Sequence, residues 1–105
     1  MKFKIYYFDE FYTELEAIHI YISQYSPKNA DNLIALIRQA LNIAMENPMA
    51  FGVARESADF PDLDLRQVVC KNHRIVYWIS GNKVFVLAAL SCRQDHMSFE
   101  RIIAP

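Results

Sequence analysis

The chain is 105 residues long, 53% apolar and 22% charged, with a formal net charge of −1. That is the size and composition of one globular domain with its own core, and it excludes a disordered chain. Charge this close to zero excludes a bulk electrostatic nucleic-acid binder, and no apolar run approaches membrane-spanning length.

Lys2–Phe8 is rich in β-branched and aromatic residues and reads as a first strand. The opening MKFKIYYFDE has no apolar core or cleavage site of a signal peptide, so the cytoplasm is the expected compartment. Asp9 offers a helix cap and Glu10 suits the positive end of the helix dipole; Thr13 and Glu16 form a second capping box. Phe11, Leu15, Ile18, Ile22 and Tyr25 then fall on one helical face. Ser26-Pro27 ends this helix and starts the next, with Ser26 as cap. Ala30, Leu33, Ile34, Ile37, Leu41, Ala44 and Met45 mark the second amphipathic face, which stops at Asn47-Pro48. So short a connection predicts an antiparallel helix hairpin.

Residues 49–60 are irregular. Gly52 suggests a turn with unusual backbone angles, and Ala54–Ser57 a short edge strand. Three strands follow: Leu65–Lys71, a tight turn at Asn72-His73, Arg74–Ser80, a Gly81-Asn82 hairpin, and Lys83–Ser91. The last contains VFVLAAL, continuously apolar, as in a central strand covered on both faces. The tail from Met97 is either a short helix or an extended arm. The predicted fold is α+β, in the order β-α-α-β-β-β with a further strand optional. It is one domain over residues 1–105, an antiparallel sheet with the helix hairpin packed on one face.

Residues 65–93 carry five Lys/Arg and no Asp/Glu. Alternation puts Ile75, Tyr77 and Ile79 on one face of their strand, toward the helices, and Arg74, Val76 and Trp78 on the other, toward solvent or a partner. Arg66 and Arg93 sit at the ends of the flanking strands, so three arginines are expected to converge where forked donors suit phosphate or carboxylate. Cys70 and Cys92 lack metal-ligand spacing and read as buried, reduced thiols. The histidines lack such spacing too. His19 reads as a packed or half-exposed helix residue, and His73 as an exposed turn residue. Tyr6, Tyr7, Phe8, Tyr12, Tyr21 and Tyr25 read as core. With only two glycines there is no phosphate loop and no nucleophile elbow. No metal or cofactor is expected.

Several stretches together resemble the RelE/ParE superfamily of toxins from type II toxin–antitoxin modules. They are Leu15-x-x-Ile18-x-x-Tyr21-Ile22 before Ser26-Pro27, Asn47-Pro48 with Gly52 after it, Leu65-Arg66, Arg74-Ile75-Val76-Tyr77, and Ser91-Cys92-Arg93-Gln94-Asp95. The resemblance spans nearly the whole chain and implies two rival activities. RelE-like members cleave mRNA on the ribosome, by attack of a ribose 2′-hydroxyl on the adjacent phosphate. Arg74 and Arg93 match two of their cationic positions, with Arg66 and His96 as further candidates. Leu65 and Gln67 stand where lysines are usual, and Phe99 where a tyrosine is. ParE-like members bind DNA gyrase and stabilise its cleaved DNA complex. The helix hairpin, the Leu65-Arg66 strand start and the Arg93-x-Asp95 strand end favour this branch. Many of its members have His-Gly-Arg-Arg-Asp where this chain has Ser91-Cys92-Arg93-Gln94-Asp95. A non-toxic family member kept as a binding partner is the third reading. The resemblance also implies a cognate antitoxin whose disordered segment wraps the toxin in a hetero-oligomer, with Trp78 and Val76 as expected contacts.

Overall fold

The structure is a computed structural model, and it describes residues 2–92. Strand β1 (Lys4–Tyr7) leads into helices α1 (Asp9–Ser23) and α2 (Pro27–Glu46); strands β2 (Asp64–Cys70), β3 (His73–Ser80) and β4 (Lys83–Ser91) follow. Helix α1 starts without a side-chain cap. Phe8 occupies the cap position, and Asp9 and Glu10 lie in the first turn, where their charge meets the dipole. At α2 the expected cap is present: Ser26 Oγ accepts from the Asn29 amide at 3.2 Å, and Pro27 opens the helix.

The four-stranded sheet has the order β1-β4-β3-β2. It is mixed, which corrects the expectation of a purely antiparallel sheet: β1 runs parallel to β4, while β2–β3 and β3–β4 are antiparallel hairpin pairs. The first hairpin turns at Lys71-Asn72, with Lys71 at φ 56°, so His73 opens β3 instead of sitting in the turn. The second turns at Gly81, φ 63°, as the Gly-Asn pair predicts.

Strand β4 is central and nearly all buried. Its unbroken apolar run has a second cause. The register passes from Tyr77↔Val86 to Val76↔Ala88, so Leu87 is an extra residue in a bulge. Val84 and Val86 point toward the helices, Leu87 and Ala88 both point away, and Ala89 points back.

Each face of the sheet has its own core. On the inner face Ile75, Tyr77, Val84 and Val86 meet Phe11 and Leu15 of α1 and Ile37 and Leu41 of α2. Tyr25, at 76% exposure, is not on the buried face that its spacing suggested; Tyr12 and Tyr21 are exposed as well, at 54% and 63%. On the outer face Leu65, Val76, Leu87 and Leu90 are covered, with Ala54, Phe60 and Leu63 of the connecting segment 51–63 packed among them. Burial of these side chains, about 0.8 kcal/mol per CH2 removed from water, is what holds this irregular segment down. The segment is not the expected edge strand. Val53 alone bridges to Arg66, and Arg55–Ala58 is a 3-10 turn that carries Glu56 inward. Cys70 and Cys92 are free and half-buried.

Candidate functional site

The residues expected on the outer face separate into three environments. Arg74 does not face solvent. Its side chain is fully buried, and so is its partner, Glu56. Nη1 and Nη2 donate to the two Glu56 carboxylate oxygens at 2.6 and 2.5 Å, and Nη1 also donates to Gln67 Oε1 at 3.3 Å. Burying a charge this deeply is costly unless it is paired, so the connecting segment closes over Arg74 with an acid in the facing position. Val76, on the same side, is likewise at 0% exposure and offers nothing to an incoming chain.

Arg66 lies on the opposite side of the sheet from Arg74, because it pairs with the inward-facing Tyr77. Its guanidinium donates to the carbonyls of Met49 at 2.6 Å and Phe51 at 2.9 Å, and to Asp64 Oδ1 at 2.9 Å. Beside it the Tyr77 hydroxyl donates to the Pro48 carbonyl at 2.6 Å. Burial pushes the Tyr77 hydroxyl up to about 12. Both groups fasten the chain where it leaves α2. Arg66 and Arg74 therefore do not converge. Arg93 and His96 lie outside the described residues.

Trp78 is where parity put it, on the outer face, packed against the outer-face cluster and only half-buried. It is one of three rings that the register aligns across β3, β4 and β1. Trp78 and Phe85 have centroids 5.0 Å apart at 30°, and Phe85 and Tyr6 5.3 Å apart at 20°. Tyr6 is 43% exposed, so it is a surface ring and not the core residue it was expected to be. Phe8 meets Phe85 edge-on at 6.1 Å. In the adjoining row Lys4 stands opposite Lys83, both exposed. Alternation in Lys4-x-Tyr6-x-Phe8 and Lys83-x-Phe85 carried this signal, but only the parallel register brings the two stretches side by side.

A groove of about 780 Å³ opens on the other flank, between α1, the β2–β3 turn and the end of β4. Glu14, Tyr21, Asn72, His73, Ser91 and Cys92 are among its lining residues. Burial, reinforced by Glu10, pushes the Glu14 carboxyl up to about 7. Burial also lowers His73, whose Nδ1 has no hydrogen-bond partner. His19 is the half-exposed helix residue it was expected to be; its Nε2 donates to Asp31 Oδ1 of α2 at 2.8 Å. Among the described residues no group of His, Cys, Asp and Glu is placed to hold a metal ion.

Comparison with known proteins bears on this architecture directly. A model for the ParE toxin of the type II toxin–antitoxin system, parDE, matches residues 5–96. Among solved structures the chain is similar to one titled "Chromosomal ParDE TA system from P. aeruginosa". The two share 15% sequence identity at a TM-score of 0.68, over 85% of this chain and 95% of that one. At that identity the likeness shows the fold. No match is found among the curated proteins. With a family match that spans β1 to the end of β4 and beyond, the chain belongs to the ParE toxin family of type II toxin–antitoxin systems.

Proposed function

We propose that this protein is a toxin that acts by binding, with DNA gyrase as its target, and that a cognate antitoxin neutralises it. Family membership supports the toxin role, and the ParDE title of the structural neighbour supports an antitoxin partner. The observation that carries the choice of binding over RNA cleavage is the state of the arginines. Cleavage by a ribose 2′-hydroxyl needs free cations against the phosphorane, together with a base and an acid. Arg74 spends both prongs of its fork on Glu56 at zero exposure, and Arg66 is tied to Met49, Phe51 and Asp64. The site of action is the cytoplasm, where gyrase works; no helix among the described residues is long and apolar enough to cross a membrane.

Induction in cells tests this, with mRNA 5′-end mapping and a reporter of DNA damage read in parallel. Reporter induction with intact messages is the expected result. Codon-positioned cuts without the reporter would make the protein a ribosome-dependent mRNA endonuclease. Silence in both, from soluble folded protein, would make it a non-toxic binder. Arg93, outside the described residues, is the remaining arginine of the expected trio, and Arg93→Ala is expected to weaken toxicity.

A further inference from the structure

We propose that the open part of the outer sheet face, Tyr6, Phe85 and Trp78 with Lys4 and Lys83 beside them, docks an acidic, apolar peptide segment. Resting on the toxin–antitoxin reading, this assigns the surface to the antitoxin and states the chemistry of the segment it takes. Three observations carry it.

The first is the manner in which the rings lie. Phe85 has Tyr6 stacked on one side and Trp78 leaning on the other, so both of its faces are covered from within the row. The central ring, Phe85, thus offers no free face to a nucleic-acid base, and the row presents an apolar ridge. Apolar side chains suit such a ridge.

The second is continuity with the core. Trp78 and Phe85 pack at the margin of the outer-face cluster that segment 51–63 covers. Both rings are only half-buried there, and the exposed ring of Tyr6 continues the row. A bound segment would extend the existing apolar layer over β4 and β1.

The third is charge. Lys4 and Lys83 are cross-strand neighbours, exposed, and in no ion pair among the described residues. Like charges placed opposite each other on a sheet repel, and a carboxylate between them relieves that repulsion. They stand two residues from the ring row, which at the rise of a strand is about 7 Å. The segment that fits carries a large apolar side chain with an acidic residue about that far away, at spacing two if extended or three to four if helical.

Trp78 is the only tryptophan, so its fluorescence reports on this surface in the full-length chain. A short synthetic peptide of alternating Glu and Leu is expected to shift Trp78 emission in wild type, and to fail to do so in Lys4→Glu/Lys83→Glu. The proposal is overturned if a Lys and Leu peptide does as well, or if the double variant responds like wild type. It is equally overturned if single-stranded oligo-dT replaces the acidic peptide as the ligand, or if the emission changes on dilution alone, which would make a second copy the occupant. The second arm measures affinity for the cognate antitoxin. Charge reversal at Lys4 and Lys83 is expected to weaken it by about tenfold or more, while Lys28→Glu on α2 leaves it within about twofold. Wild-type binding with no loss in the double variant would overturn the surface assignment and leave the toxin–antitoxin reading standing. A response to the acidic peptide with no antitoxin binding would do the reverse.

Discussion

Arg74 and Glu56 form a two-pronged ion pair in which neither side chain has any exposure to solvent. The pair joins β3 to the 3-10 turn Arg55–Ala58 and so fixes how the connecting segment crosses the outer face. An arginine that composition offers as a target-binding residue is here an internal fastening.

Removal of either partner breaks a two-pronged ion pair that is fully shielded from solvent. Arg74→Ala or Glu56→Gln is expected to cost about 3–5 kcal/mol, read as the midpoint of urea unfolding. Joint replacement, Arg74→Met with Glu56→Leu, is expected to recover most of that loss, because an apolar pair of similar volume leaves no buried charge without its partner. A double variant no more stable than either single one would show that the pair is not the source of the cost. Any loss of toxicity in Arg74→Ala is therefore expected to be a folding effect, and far-UV circular dichroism of that variant distinguishes it from a lost contact.

Tyr77 gives a prediction at alkaline pH. Its hydroxyl is held up at about 12 by burial in the folded chain, against 10.0 ordinarily. Between those values the folded state keeps a proton that the unfolded state has released. Stability contributed by this group is thus complete below pH 10 and is lost as pH rises through 12. Tyr77→Phe is expected to flatten unfolding free energy over that window. At neutral pH it is expected to cost about 1–2 kcal/mol, since the buried Pro48 carbonyl loses its donor. An unchanged alkaline slope in the variant would place the titration elsewhere.

The helix hairpin was legible because burial on one face repeats at the helical period, and Ser26-Pro27 and Asn47-Pro48 punctuate it. The parity of β3 was legible for the same kind of reason, and Ile75, Tyr77 and Ile79 do face the helices. What the outer face meets was not. Its cover is the irregular segment 51–63, which has no period to read, and the acid that neutralises Arg74 lies 18 residues away in it. The direction of β1 was hidden too, because an isolated strand pattern carries no information on which neighbour it joins. The ring row Tyr6–Phe85–Trp78 depends on that pairing, so the aromatics were visible in sequence and their assembly was not.

The two glycines separate cleanly. Gly81 sits at φ 63°, which an L side chain rarely adopts, whereas Gly52 has no positive φ, and a Cβ there would meet nothing within 4 Å. The unusual backbone expected at Gly52 is thus absent. Gly81→Ala is expected to lower stability by about 1 kcal/mol, and Gly52→Ala to leave it unchanged or raise it by about 0.5 kcal/mol through a less flexible unfolded chain. Thermal midpoints of the two variants check both signs, and an unaffected Gly81→Ala would mean that the β3–β4 turn tolerates a side chain there.

Glu14 connects stability to the groove beside α1. Burial, then the neighbouring Glu10 carboxylate, raises its carboxyl to about 7 from the usual 4.5. The folded chain therefore holds a proton over that interval that the unfolded chain lacks. The contribution of Glu14 to stability is fully present below pH 4.5 and declines as pH rises through 7. Because the residue is only half-buried, solvent screening limits the effect to about 1 kcal/mol. Glu14→Gln removes the charge, so the variant is expected to be more stable than wild type at pH 8 and no more stable at pH 4. Glu10→Gln tests the cause, since it removes the like charge but leaves the burial; it is expected to lower the Glu14 midpoint only in part. Carboxyl chemical shifts followed by NMR across pH 4–9 give that midpoint directly. A Glu14 that titrates near 4.5 in wild type would show that water reaches this flank of α1 freely and that the groove is no barrier to it.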